Sequence, residues 1–267
     1  MGADIKSLRT RIKSVDSTLH LTKAMGLVAS SKIRRATDAM NKGRQYADAV
    51  SKTVDALALS PECIKSPYMR KENGGRTCLI VIAGDRGLAG GYNANVFRLV
   101  KTLPEGDIIP IGKRACDRFG GELRYAEGFS YGDAISVSNN ICKAFCDGTY
   151  DRVGIVCTKY VSMLTQEAIV KWVLPLEKKD GAENHGMLFE PDELTILNAA
   201  IPEYVAGMLV SAVRESFASE VAARRCAMDS AGKNAQQMID DLQLEYNRAR
   251  QGAITQEITE IVAGSGM

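Results

Sequence analysis

The chain has 267 residues, 34 Lys or Arg against 32 Asp or Glu, and an apolar fraction of 45%. That is enough for a sizeable core in one or two domains, and a pI of about 8.1 lies below the range usual for nucleic-acid-binding domains. Seven cysteines without a C-x-x-C pair, and an N-terminus MGADIKSLRTR with no apolar signal run, argue against a secreted disulfide scaffold and for reduced thiols in the cytosol.

All seven prolines fall between Pro61 and Pro202, so both ends lack the residue that cannot continue a helix. In the first segment Ile5, Leu8, Ile12, Val15, Leu19, Thr22, Gly26, Ala29, Ile33, Ala36, Met40, Gly43, Ala47, Val50, Val54 and Leu57 alternate by three and four, and only Thr22 is polar. The spacing predicts a coiled-coil helix over residues 1–60, with a seam about eight heptads long. Pro61, Pro67 and the ENGG at 72–75 then read as a linker.

A middle region, 76–186, follows a different rhythm. The apolar run TCLIVIAG leads into a Gly-rich turn, DRGLAGG, and a helix-compatible stretch from Tyr92. Beyond it the pattern predicts a strand at 107–112, a helix at 113–119, a strand near Leu123 to Tyr125, a helix at 133–146, and strands at 153–159 and 167–174. Such alternation predicts a doubly wound α/β domain with a mainly parallel sheet. A polar, Gly-containing loop is expected over 178–186.

The last segment, 192–264, returns to heptads: Val221, Arg225, Met228, Gly232, Ala235, Ile239, Leu242, Tyr246, Ala249 and Ala253 form a second seam, with Arg225 its one polar exception. The chain thus supplies its own partner helix, and the simplest pairing is a long antiparallel coiled coil, a rod on a knob. Charge supports it, since residues 1–60 carry eleven Lys or Arg against five Asp, and residues 202–267 carry six against nine acids. The basic first helix also admits an acidic protein surface as partner, whereas nucleic acid is disfavoured because no aromatics are interleaved for stacking. Uninterrupted apolar runs such as Cys78 to Gly84 are strand-sized, short of the roughly 18 residues of a membrane span, so contact with a membrane is expected only through partners.

Enzymatic chemistry has one candidate location. A Gly-rich loop after a first parallel strand is where dinucleotide phosphates bind, but Gly84, Gly87, Gly90 and Gly91 give G-x-x-G-x-x-G-G, no P-loop Lys followed by Ser or Thr is present, and Asp85 would repel a phosphate. A structural turn is the better reading. His20 on a helix and His185 in a polar loop lack ligand-type neighbours in sequence. Cys142 and Cys146, one turn apart, read as small core residues. No catalytic residue, cofactor or metal is expected.

Four stretches together, LTKAMGLVASSKIRRA at 21–36, GDRGLAGGYNAN at 84–95, SEVAARRCAM at 219–228 and LEYNRARQGAITQEITEIVAG at 244–264, resemble the gamma subunit of bacterial F-type ATP synthases. The resemblance spans the chain in order, and ITQEITEIVAG is its most specific part. Arg225 stands where that family usually has Met, Ser265 follows Gly264 where Ala is common, and the Cys-containing insertion of chloroplast relatives, with its thiol regulation, is absent. The resemblance implies a shaft inside a ring of alpha and beta subunits, an α/β domain against the epsilon subunit and the c-ring, and a place on the cytoplasmic face of the bacterial membrane. It puts Lys23, Met25, Arg250, Gln251, Thr255 and Glu257 at beta-subunit contacts, and Ile254, Ile258, Ile261 and Val262, an i, i+4, i+7, i+8 stripe, in an apolar sleeve. Two other readings stay open on the residues alone: an α/β nucleotide-binding enzyme with a helical arm, and a coiled-coil tether or nucleic-acid clamp.

Overall fold

A computed structural model of the chain describes residues 2–70, 74–177 and 189–264. Two long helices bracket an α/β region: α1 (Gly2–Leu57), β1 (Thr77–Ile82), α2 (Tyr92–Val100), β2 (Gly106–Ile111), α3 (Lys113–Phe119), α4 (Tyr131–Cys146), β3 (Arg152–Tyr160), β4 (Gln166–Leu174) and α5 (Glu193–Gly264). The predicted loop at 178–186, with His185, lies outside the described residues, as do Ser265 and part of the predicted linker at 72–75.

The residues cluster into two compact units, 1–30 with 224–267, and 31–223. In the first, α1 and α5 pair antiparallel. Leu19 packs with Ala235 and Ile239, flanked by Ile12 and Val15. Gly26 lies beside Met228, and Gly232 beside Thr22 and Leu19. Every predicted seam position in this unit is buried or half-buried, as a 3.5-residue repeat requires when one stripe faces a partner helix.

In the second unit a four-stranded sheet has the order β2-β1-β3-β4. β1 pairs in parallel with β2 and β3, and β4 runs antiparallel to β3. The sheet is mixed because β3 and β4 are joined by residues 161–165 alone, too few for the crossover that a parallel partner needs. Both faces of β1 are covered. Cys78, Ile80 and Ile82 enter a large core with α4 and the local stretches of α1 and α5, while Leu79 and Val81 face a smaller core with Val96 and Phe97 of α2. Coverage on both sides explains why TCLIVI is continuously apolar rather than alternating.

Four expectations are corrected here. Residues 123–125 form no strand: Arg124 accepts one backbone bond from Gly112, and Leu123 and Tyr125 are exposed, so the segment has neither a ladder nor a buried face. The stretch from Pro61 is no slack linker. It makes two 3-10 turns, Pro61–Lys65 and Pro67–Met69, and buries Cys63 and Tyr68, whose ring stacks on Phe145 at 6.0 Å. Cys142 is core, and burial pushes its thiol up to about 11, but Cys146 is exposed at the end of α4. Finally, α5 contains an 18-residue window long and apolar enough to cross a membrane by length and composition alone, and 61% of that window is buried inside the protein.

Candidate functional site

The Gly-rich turn follows β1 and precedes α2, where the sheet order reverses and nucleotides bind in doubly wound folds. Here Gly84 and Asp85 are bonded to other parts of the protein. The Asp85 carboxylate accepts from the backbone N–H groups of Lys113 (3.1 Å), Ala126 (3.0 Å) and Glu127 (2.8 Å), so it fastens the start of α3 and the segment before α4. The Gly84 N–H donates to the Asn93 side chain at 2.9 Å, and the Gly84 carbonyl accepts from the Arg114 N–H at 3.0 Å. Buried Glu220 of α5 lies against Gly84, and the buried Tyr92 hydroxyl donates to the Ser216 carbonyl at 3.0 Å. Burial, and then the charge of Glu220, raise the Tyr92 phenol well above its usual range. Through these bonds the turn joins β1 to α3, α5 and the segment before α4.

Two cations of the basic first helix are not simply solvated. Lys32 pairs with Glu127, which also receives Arg86 at 3.7 Å, so one carboxylate ties α1 to the Gly-rich turn. Arg44 donates to the Tyr160 carbonyl at 2.9 Å and to Glu215 Oε1 at 2.7 Å, while Lys171 reaches Glu215 Oε2 at 3.1 Å. The Glu215 side chain is only 3% exposed. Burial opposes its ionisation, yet Arg44 and Lys171 outweigh that and hold its carboxyl below the usual glutamate value. Heptad analysis cannot find this cluster, because Arg44 follows a seam position in sequence and its partners are more than a hundred residues away.

The predicted contact residues fall in two places on the helical pair. Lys23 lines a groove of about 500 Å³ with Gly26, Ser30, Arg225, Met228 and Gly232. The absent side chains of Gly26 and Gly232 deepen it, and the Arg225 guanidinium donates to the Ser30 hydroxyl. Met25, close by in sequence, is half-buried. Arg250, Gln251, Thr255 and Glu257 are all exposed near the end of α5. They lie about 27 to 38 Å along α5 from Gly232, which faces Thr22, so the structure does not unite the two sets.

Beyond Ala253 every described position of α5 is exposed, because α1 has run out. The exposed residues include the whole predicted stripe: Ile254 (48%), Ile258 (56%), Ile261 (63%) and Val262 (64%). His20 has an acidic neighbour, Asp16, 3.8 Å away on the same face of α1, which its sequence reading overlooked. Among the described residues no group of three His, Cys, Asp or Glu side chains converges as a metal site would.

A protein-family model described as ATP synthase matches residues 4–266. Curated relatives share the match: the ATP synthase gamma chain of Ruminococcus albus is 41% identical, over 98% of each chain. The chain belongs to the ATP synthase gamma-chain family. The ATP synthase gamma chain of Alkaliphilus metalliredigens is 39% identical over 99% of each chain. Among solved structures, a chain of the Euglena gracilis mitochondrial ATP synthase OSCP/F1/c-ring assembly in rotational state 3 aligns with a TM-score of 0.74 at 20% identity, over 99% of this chain and 94% of that one. A chain of the Tetrahymena thermophila mitochondrial ATP synthase central stalk and c-ring aligns with a TM-score of 0.63 at 20% identity, over 79% of this chain and 99% of that one. These structural likenesses establish a shared fold.

Proposed function

We propose that this chain is the central-stalk rotor of an F-type ATP synthase, coupling ion flow through a membrane ring to ATP synthesis or hydrolysis in a catalytic hexamer. Besides the family, one observation carries the reading: α5 runs about ten residues past the end of its pairing, with an apolar stripe facing outward. An isolated soluble protein gains nothing from such a stripe, whereas a ring that encloses the tip would cover it. In this role residues 1–60 and 192–264 are the shaft and 76–186 the domain that meets the epsilon subunit and the c-ring, peripheral at the cytoplasmic face of the membrane.

The chain has no catalytic residues of its own in this proposal. Turning an asymmetric helical pair inside three alpha and three beta subunits presents a different face to each catalytic site, and each is biased toward a different nucleotide affinity only by contacts that differ between its states. Lys23 and Met25 at the groove, and Arg250, Gln251, Thr255 and Glu257 near the tip, are the proposed contacts to beta. A shaft suits the sequence, since a 56-residue α1 is about 84 Å long at the standard rise.

The test is tagged purification from membranes, followed by single-molecule tracking of a probe on the chain in the purified complex. Co-purification with a hexameric ATPase and ATP-driven rotation of the probe are expected. A chain that purifies without the hexamer, or that stays still while the hexamer turns over ATP, would defeat the proposal.

A further inference from the structure

The Glu215 cluster joins four elements at one buried carboxylate. Arg44 comes from α1, Lys171 from β4, and Glu215 from α5, while Tyr160 at the end of β3 donates its N–H to Glu215 Oε1 at 3.2 Å and accepts from Arg44 through its carbonyl. Tyr160 packs with Ala36, Met40, Ala218 and Phe217, while Asp48, Ser51, Lys159 and Ser211 line the cavity beside Arg44, Lys171 and Glu215. The carboxylate is buried while its two cations, Arg44 and Lys171, keep 37% and 29% of their side chains exposed, and replacing such an ion cluster with apolar residues of similar volume is often neutral or stabilising, so stability alone does not account for this one. Apolar contact is also non-directional, whereas charge-assisted hydrogen bonds are short and fix their partners in place.

We infer that Glu215, Arg44 and Lys171 are positioning residues that lock α1 and α5 to the sheet against shear, so that torque on the α/β domain turns the helices rather than slipping past them. This inference rests on the rotor reading. During unloaded hydrolysis little force crosses the joint and the lock hardly matters. During synthesis all the work passes through it.

The experiment uses the assembled, membrane-reconstituted complex with Arg44→Met, Lys171→Met, Glu215→Gln and the conservative Lys171→Arg. Unloaded ATP hydrolysis, ATP synthesis driven by an imposed ion gradient, and the torsional stiffness of the rotor seen by single-molecule tracking are measured on each. Arg44→Met and Lys171→Met should assemble, hydrolyse ATP near the wild-type rate, lose synthesis several-fold and soften the rotor, and Lys171→Arg should restore both losses. If Glu215→Gln does not assemble, the two single-cation variants decide. Wild-type stiffness and synthesis in them would overturn the inference, as would equal losses of hydrolysis and synthesis, or failure of both to assemble, since the cluster would then serve folding alone. Failure of the rotor reading is separate, because it would appear as a wild-type chain that does not rotate.

Discussion

Gly84 and Glu220 approach closely: a Cβ at residue 84 would sit 2.7 Å from the Glu220 carboxyl carbon, so that carboxyl group would have to shift. Glu220 is buried, so its carboxylate has little room to retreat. Gly84→Ala should therefore destabilise the α/β unit by about 1–3 kcal/mol through overpacking. Chemical denaturation of the two proteins measures this, and an unchanged midpoint would refute the close approach.

Asp85 serves three backbone N–H groups at once. Asp85→Ala leaves them without their acceptor, and about 1–3 kcal/mol of stability should be lost if even one stays buried and unpaired. The same turn should take no nucleotide, and calorimetry with ATP should give no binding heat with either protein. Stoichiometric binding by the isolated wild-type chain would revive the enzyme reading.

Leu19 packs against Ala235 and Ile239 across the helical pair. With the exposed Cys146 and half-buried Cys226 changed to serine, Leu19→Cys combined with Ile239→Cys should form a disulfide under mild oxidation, seen as a mobility shift on a non-reducing gel. The control pair Leu19→Cys with Leu244→Cys, whose second position faces solvent, should not form one. Equal cross-linking of both pairs would contradict the register.

Ile258 is exposed on the tip of α5, so Ile258→Asp should leave the melting temperature of the isolated chain within experimental error. In the assembled complex the same charge would enter an apolar sleeve and weaken assembly, read as less gamma chain retained per hexamer. Normal retention and coupling would remove the proposed sleeve.

The pH dependence of stability should carry the mark of Glu215. Its carboxyl titrates below the usual glutamate value in the folded state, so its contribution is fully present above about pH 4.3, the ordinary value, and is lost as pH falls through the lower folded value. The stability gap between wild type and Glu215→Gln should thus be widest at neutral pH and narrow in acid. A gap that does not change with pH would show that the carboxylate is not held ionised by Arg44 and Lys171.

Much of the fold is legible in the residues because it is periodic and local. The heptad stripes identify both seams, and each of their positions is buried or half-buried, including the polar Thr22, whose hydroxyl bonds the Leu19 carbonyl within its own helix. α3 occupies Lys113–Phe119, the range its pattern predicts, and α4 starts two residues earlier than predicted because Ser130 and Asp133 form a capping box. The direction of β4 and the unpaired state of residues 123–125 are harder to read, because both depend on which backbone lies alongside. At the candidate sites the exposed apolar stripe is visible as spacing, while the Glu215 cluster, the Asp85 joint and the groove beside Arg225 join residues far apart in the chain.

The sequence by itself determined that the two ends are long helices with matching seams around an α/β region, because a repeat of apolar side chains specifies which stripe must leave water whatever else the chain does. Only the tertiary structure decided which charges are buried, which glycines are crowded and which strand reverses. Those properties depend on distances between segments remote in sequence, and burial turns an ordinary arginine, lysine or glutamate into a fixed joint only once its partners have been brought within hydrogen-bonding reach.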